Sequence, residues 1–154
     1  MRRLQQRLIL EQTDKKLKPY IALSKESIPP EGWIYTIRKA LNLSLRQLAK
    51  RIGVSPQSIK ALERNEKNST ISLKSLREVA RALDLQLVYA LLPNEGSLES
   101  MIEKRAKELA TEIVARTSQS MKLENQENSA ERISKSIDEK TEELKYEMPK
   151  FLWD

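Results

Sequence analysis

The sequence predicts a mainly α-helical protein with one short β-strand and a C-terminal helical extension. Three observations carry this. Apolar residues recur three and four apart in short blocks from Trp33 onward. Hydroxyl residues stand where helices would start, at Ser44, Ser55 and Ser72. Only residues 85–91, with Val88 and Tyr89, have the composition and bounded length of a strand.

The elements follow in order. Residues 2–18 read as a basic helix whose apolar stripe, Leu4 and Leu8, is thin; Pro29 and Pro30 then forbid helix in the connector 24–31. The first block of the next region has Trp33, Ile34, Ile37 and Leu41 inward. The second starts at Ser44, with Gln47 three residues on as a capping box, and buries Leu45, Leu48, Ala49 and Ile52. Gly53 ends it, because a helix turning through positive φ favours glycine. Ser55-Pro56 opens the third block, which turns Ile59 and Leu62 inward, and Ser72 opens a fourth with Leu73, Leu76, Val79, Ala80 and Leu83. Residues 85–91 (LQLVYAL) read as a strand, the alternative being a fifth short helix. Residues 97–121 form one long helix with Leu98, Ile102, Leu109, Ile113 and Val114 inward. A last helix carries Ile133, Ile137, Leu144 and Met148 before Pro149. The chain thus divides into a helical arm and linker (1–31), a four-helix block with its strand (32–92) and a C-terminal helical region (93–154).

Composition narrows the chemistry. The 154 residues contain neither His nor Cys, which removes zinc sites built on those ligands, cysteine nucleophiles, histidine triads and disulfides. The 3 glycines stand apart, so no phosphate-cradling loop is present, and no metal or cofactor is expected. No pair of carboxylates or lysines is isolated in an apolar setting, so an enzyme is not expected. No apolar run approaches a membrane span or a signal-peptide core, and a cytoplasmic protein is expected.

The formal charge is +6, and it is unevenly spread. Residues 36–81 hold eleven basic against three acidic residues, a balance of +8; residues 97–154 hold ten against thirteen, a balance of −3. Positive charge gathered on one module is the footprint of a phosphate-binding face. Within that module, Ala49, Gly53 and Val54 supply the small residue, the glycine and the apolar residue that two tightly crossing helices need, and Ile59 and Leu62 close the contact. Ser55, Gln57, Ser58, Lys60, Ala61 and Arg64 are left facing outward on the second helix, which suits the DNA major groove.

This stretch resembles the phage-repressor (XRE) helix-turn-helix family. The resemblance implies a structural ion pair between Arg38 and Glu63. Pro56 departs from the family, because many relatives carry a polar base-reader there. Readout of a double-stranded operator would fall more heavily on Gln57, which has the geometry to grip adenine, with Arg46, Lys60, Arg64 and Lys67 on phosphates. The strand would pair antiparallel with that of a second copy to make a homodimer.

Further blocks run the length of the chain: Gly32-Trp33-Ile34, residues 44–49 (SLRQLA), 87–91 (LVYAL), 121–124 (MKLE) and Leu152-Trp153-Asp154. In that order they resemble the mobile mystery protein A family. The resemblance implies a regulator encoded beside a Fic-domain partner, mobile mystery protein B, in a toxin–antitoxin-like pair. Inhibitors of Fic AMP-transferases carry a helix with Ser or Thr, three residues, Glu, then Gly or Asn. Residues 27–32 fit the letters but hold two prolines. Ser120, Glu124 and Asn125 fit on a continued helix, the alternative being a plain polar helix end. The functions in view are a DNA-binding autorepressor and antitoxin, a direct Fic inhibitor whose DNA binding is secondary, and a stand-alone phage-type repressor.

Overall fold

The computed structural model describes residues 1–123 and 129–154 and is mainly helical. Its helices are α1 (Arg2–Ile21), α2 (Trp33–Ala40), α3 (Leu45–Ile52), α4 (Pro56–Lys67), α5 (Leu73–Ala82), α6 (Leu98–Leu123) and α7 (Ala130–Glu147), with short 3-10 turns at Ala22–Lys25 and Lys150–Trp153. None of the described helices is long and apolar enough to cross a membrane. The chain forms two compact units, Leu23–Ala90 and Met1–Ala22 with Leu91–Asp154. The N-terminal helix therefore shares a unit with α6 and α7.

In the first unit, α2 to α5 close around Ile34, Leu48, Ala49, Ile59, Val79 and Leu83. Leu48 and Ile59 are wholly buried, and Ile37, Leu45, Ile52, Leu62 and Leu76 seal the edges. Local chemistry sets the boundaries. Ser44 Oγ accepts from Gln47 N (3.1 Å) while Gln47 Oε1 accepts from Ser44 N (2.8 Å), completing a capping box on α3. Ser55 and Ser72 cap α4 and α5 by accepting from Ser58 N and Ser75 N. Each of the four helices ends in a residue with positive φ, at Asn42, Gly53, Ser69 and Asp84. The next amide then folds back on the helix: Leu43 N to Arg38 O, Val54 N to Ala49 O, Thr70 N to Asn65 O, Leu85 N to Ala80 O. These are Schellman closures, and only one of them uses glycine.

The expected strand at residues 85–91 does not form; no β-strand occurs among the described residues. Composition can favour a strand but cannot supply its partner. The Leu85 amide is spent on closing α5, and residues 86–90 donate no backbone hydrogen bond. Three apolar residues expected inside this unit, Trp33, Leu41 and Leu73, are exposed. Each sits beside a helix end, where few neighbouring side chains reach.

In the second unit, Lys145 near the end of α7 reaches Glu103 near the start of α6 (3.5 Å), so the two helices run antiparallel. Burial works against the Lys145 ammonium, but its hydrogen bond to Glu142 and the charges of Glu103 and Glu142 outweigh it and raise its pKa above the ordinary lysine value. Ala106 and Ala110, one turn apart, are wholly buried and let the helices approach closely over Ile102, Leu144 and Leu152. Asp14 of α1 caps α6, accepting from Leu98 N (2.8 Å) and Glu99 N (3.1 Å). Arg105 donates to the carbonyls of Leu152 and, at 2.9 Å, Asp154, which pins the final turn. Helix α1 runs past Lys18 to Ile21 with Pro19 in its last turn, where a proline costs only one intrahelical bond.

Candidate nucleic-acid interface

The outer face of α4 is built by what its inner face holds. Ile59 is wholly buried and Leu62 packs against the core, which fixes the helix's rotation. Glu63 and Glu66 then turn toward α2. Glu63 meets Arg38 through Nε–Oε1 and Nη2–Oε2 (3.2 Å), while Arg38 Nη1 donates to Leu43 O (3.0 Å). Both side chains of this ion pair are buried, 7% and 11% exposed, so it is a desolvated, bidentate contact.

Glu66 caps α2. Its carboxylate accepts from Trp33 N and Ile34 N, both at 2.8 Å, at a helix start that has no side-chain cap of its own. Gly32 makes room for it: φ there is +87°, and a Cβ would lie 2.8 Å from Glu66 Oε1. Glu31 pairs with Lys67 Nζ at 3.1 Å. The acidic residues around α2 and α4 are all consumed in this way.

The remaining surface is cationic. Gln57, Lys60 and Arg64 are exposed on α4, and Arg46 is exposed on α3. Among the described residues, none of Arg46, Lys60 and Arg64 forms an ion pair. Lys67 lies on the same helix but is held by Glu31. Ser55 is exposed, and its hydroxyl lies 2.9 Å from that of Ser58 while capping the helix. Ser58 and Ala61, expected to face outward, are only half-exposed, and Val54 beside the turn is exposed.

Two contributors are not foreseen from the sequence. Glu66 and Asp14 each cap a helix far away in sequence, 33 and 84 residues from the amides they meet. The available signal was indirect: neither Gly32 nor any residue just before it offers α2 a side-chain cap. Of the Fic-inhibitory pattern, Ser120 is exposed near the end of α6, and Glu124 and Asn125 lie outside the described residues.

No curated protein and no solved structure matches the chain. Residues 34–89 match the helix-turn-helix family model and carry a helix-turn-helix domain of the XRE, phage-repressor type.

Proposed function

We propose that the protein is a sequence-specific transcriptional repressor that inserts α4 into the major groove of its own operator. The observation that carries this is the acid-free outer face of α4: Glu63 and Glu66 are turned inward, leaving Gln57, Lys60 and Arg64 exposed together. A duplex meeting that face encounters no exposed carboxylate of α4. Gln57, at the N-terminal end of the helix, takes the base-reading role, with Ser55, Ser58 and Ala61 lining the approach. Arg46, Lys60 and Arg64 meet phosphates, and Lys67 joins them by exchanging Glu31 for the backbone.

A two-fold homodimer would present two such helices to successive grooves about 34 Å apart. Support comes from the exposed apolar side chains Leu85, Val88 and Tyr89, beside a cleft of about 380 Å³ that Trp33, Ile37, Leu76 and Leu83 help to line.

Selection of bound duplexes from a random pool tests the repressor function. Wild type should enrich a two-fold-symmetric site, and Gln57→Ala should relax one base position per half-site by about 1–3 kcal/mol. A pool that stays unenriched, or a Gln57→Ala protein with unaltered preference, would refute it.

The resemblance to mobile mystery protein A favours a second role, as antitoxin to a Fic-domain partner encoded alongside. Glu124 would occupy the place of the ATP γ-phosphate and pair with a cation there, a charge-assisted contact. Glu124→Gly should release AMP transfer by the partner while the complex and operator binding persist. A complex that stays inactive with this change excludes inhibition through Glu124.

A further inference from the structure

Positive charge on the helix-turn-helix unit is not confined to α3 and α4. Lys74, Arg77 and Arg81 are all exposed on α5, and spacings of three and four residues put them on one helix face. Among the described residues, none of the three forms an ion pair. Two acids stand near the ridge, Glu78 on α5 and Asp84 just after it, and neither pairs with it.

The ridge is also partly organised. The Arg77 guanidinium lies 5.6 Å from the centre of the Tyr89 ring, an arrangement that restrains it without neutralising it. Arg77 and Arg81 line one surface cleft of about 310 Å³ together with Asp84 and residues 85–87. The amides of Gln86 and Leu87 form no backbone hydrogen bond. Lys74 and Arg81 are separated by about 10 Å along the helix axis at 1.5 Å per residue. That row is too long for one small anion and suits a polyanion with regularly spaced charges.

We propose that Lys74, Arg77 and Arg81 form a second nucleic-acid surface, one that grips the phosphate backbone and reads no bases. The inference rests on the DNA-binding function proposed above and extends it beyond the recognition helix. It assigns α4 to sequence and α5 to affinity. Each phosphate neutralised releases condensed counterions, so the ridge's contribution appears in the salt dependence of binding.

The test compares the full wild-type chain with K74Q/R77Q/R81Q on a mixed-sequence duplex of about 30 base pairs, across salt. Because the glutamine variant neutralises three fewer phosphates, its slope of log K against log salt should be flatter by about 2.7, which amounts to about 40-fold less weakening between about 50 and 200 mM salt. R77K/R81K, which keeps the charge, should retain the wild-type slope. The site selected from a random pool should be the same for all three proteins. Equal slopes for wild type and the glutamine variant overturn the ridge alone, while an altered selected site would make it a base-reading surface and overturn it as stated. Failure of the wild type to bind any duplex would instead overturn the DNA-binding function itself.

Discussion

Arg38 is 5% exposed, and each face of its guanidinium has a destination: Glu63 on one side, the Leu43 carbonyl on another and the Tyr35 ring at 5.5 Å. Such a pair is weak evidence for net stability, because both charges were desolvated to make it. Breaking one half is a different matter. Arg38→Met should cost about 3–5 kcal/mol in denaturant unfolding, since Glu63 is left as a buried, uncompensated charge. Arg38→Met combined with Glu63→Leu should recover much of that loss; if the double variant is as unstable as the single one, the two residues are not coupled. At this scale the sequence was partly legible. The Arg38–Glu63 pair is the one that the family resemblance implies, whereas the turn of Glu66 toward the Trp33 and Ile34 amides depends on how α4 packs on α2 and was not legible.

Helix boundaries were legible because capping is local chemistry. Ser44 with Gln47, Ser55 with Pro56, and Ser72 each satisfy amides within three residues of themselves. Residues 85–91 were not, since a strand exists only through a partner that local composition cannot specify. Ala106 and Ala110 were also missed, because close packing through small side chains leaves no apolar stripe to read. The Schellman closures offer a test of element ends. Ser69 holds φ at +59° with a Cβ that disfavours it, whereas Asp84 at +58° is of a type that tolerates this region. Ser69→Gly should therefore stabilise the unit by roughly 0.5–1 kcal/mol, the relief of backbone strain exceeding glycine's unfolded-state entropy. Thermal unfolding should shift up by a few degrees, and Asp84→Gly should shift less. A lowered midpoint for Ser69→Gly would show that the strain is absent.

Across the whole molecule, the two units have separate cores, one around Leu48 and Ile59 and one around Ala106, Ala110 and Leu144. Their chemistry also differs. Residues 36–81 carry a charge balance of +8 and residues 97–154 one of −3, and among the described residues Arg46, Lys60, Arg64, Lys74, Arg77 and Arg81 on α3 to α5 form no ion pair. Damage to one core should be felt locally. Ala106→Leu forces a larger side chain between α6 and α7 and should cost about 1–3 kcal/mol. Hydrogen exchange should accelerate in α6 and α7 and remain unchanged in α3 and α4, with DNA affinity within twofold of wild type. Faster exchange in α4 would mean that the cores are energetically joined.

The thirteen residues from Ser55 to Lys67 divide into two nearly separate sets. Ile59, Leu62, Glu63 and Glu66 hold the helix in place, whereas Gln57, Lys60 and Arg64 touch nothing that the fold requires. Mutational drift in the second set carries almost no folding penalty. A lineage built on this scaffold is free to change its target by successive surface substitutions, each passing through a protein that still folds. Its divergence would be written on one side of a single helix, with the other side standing still.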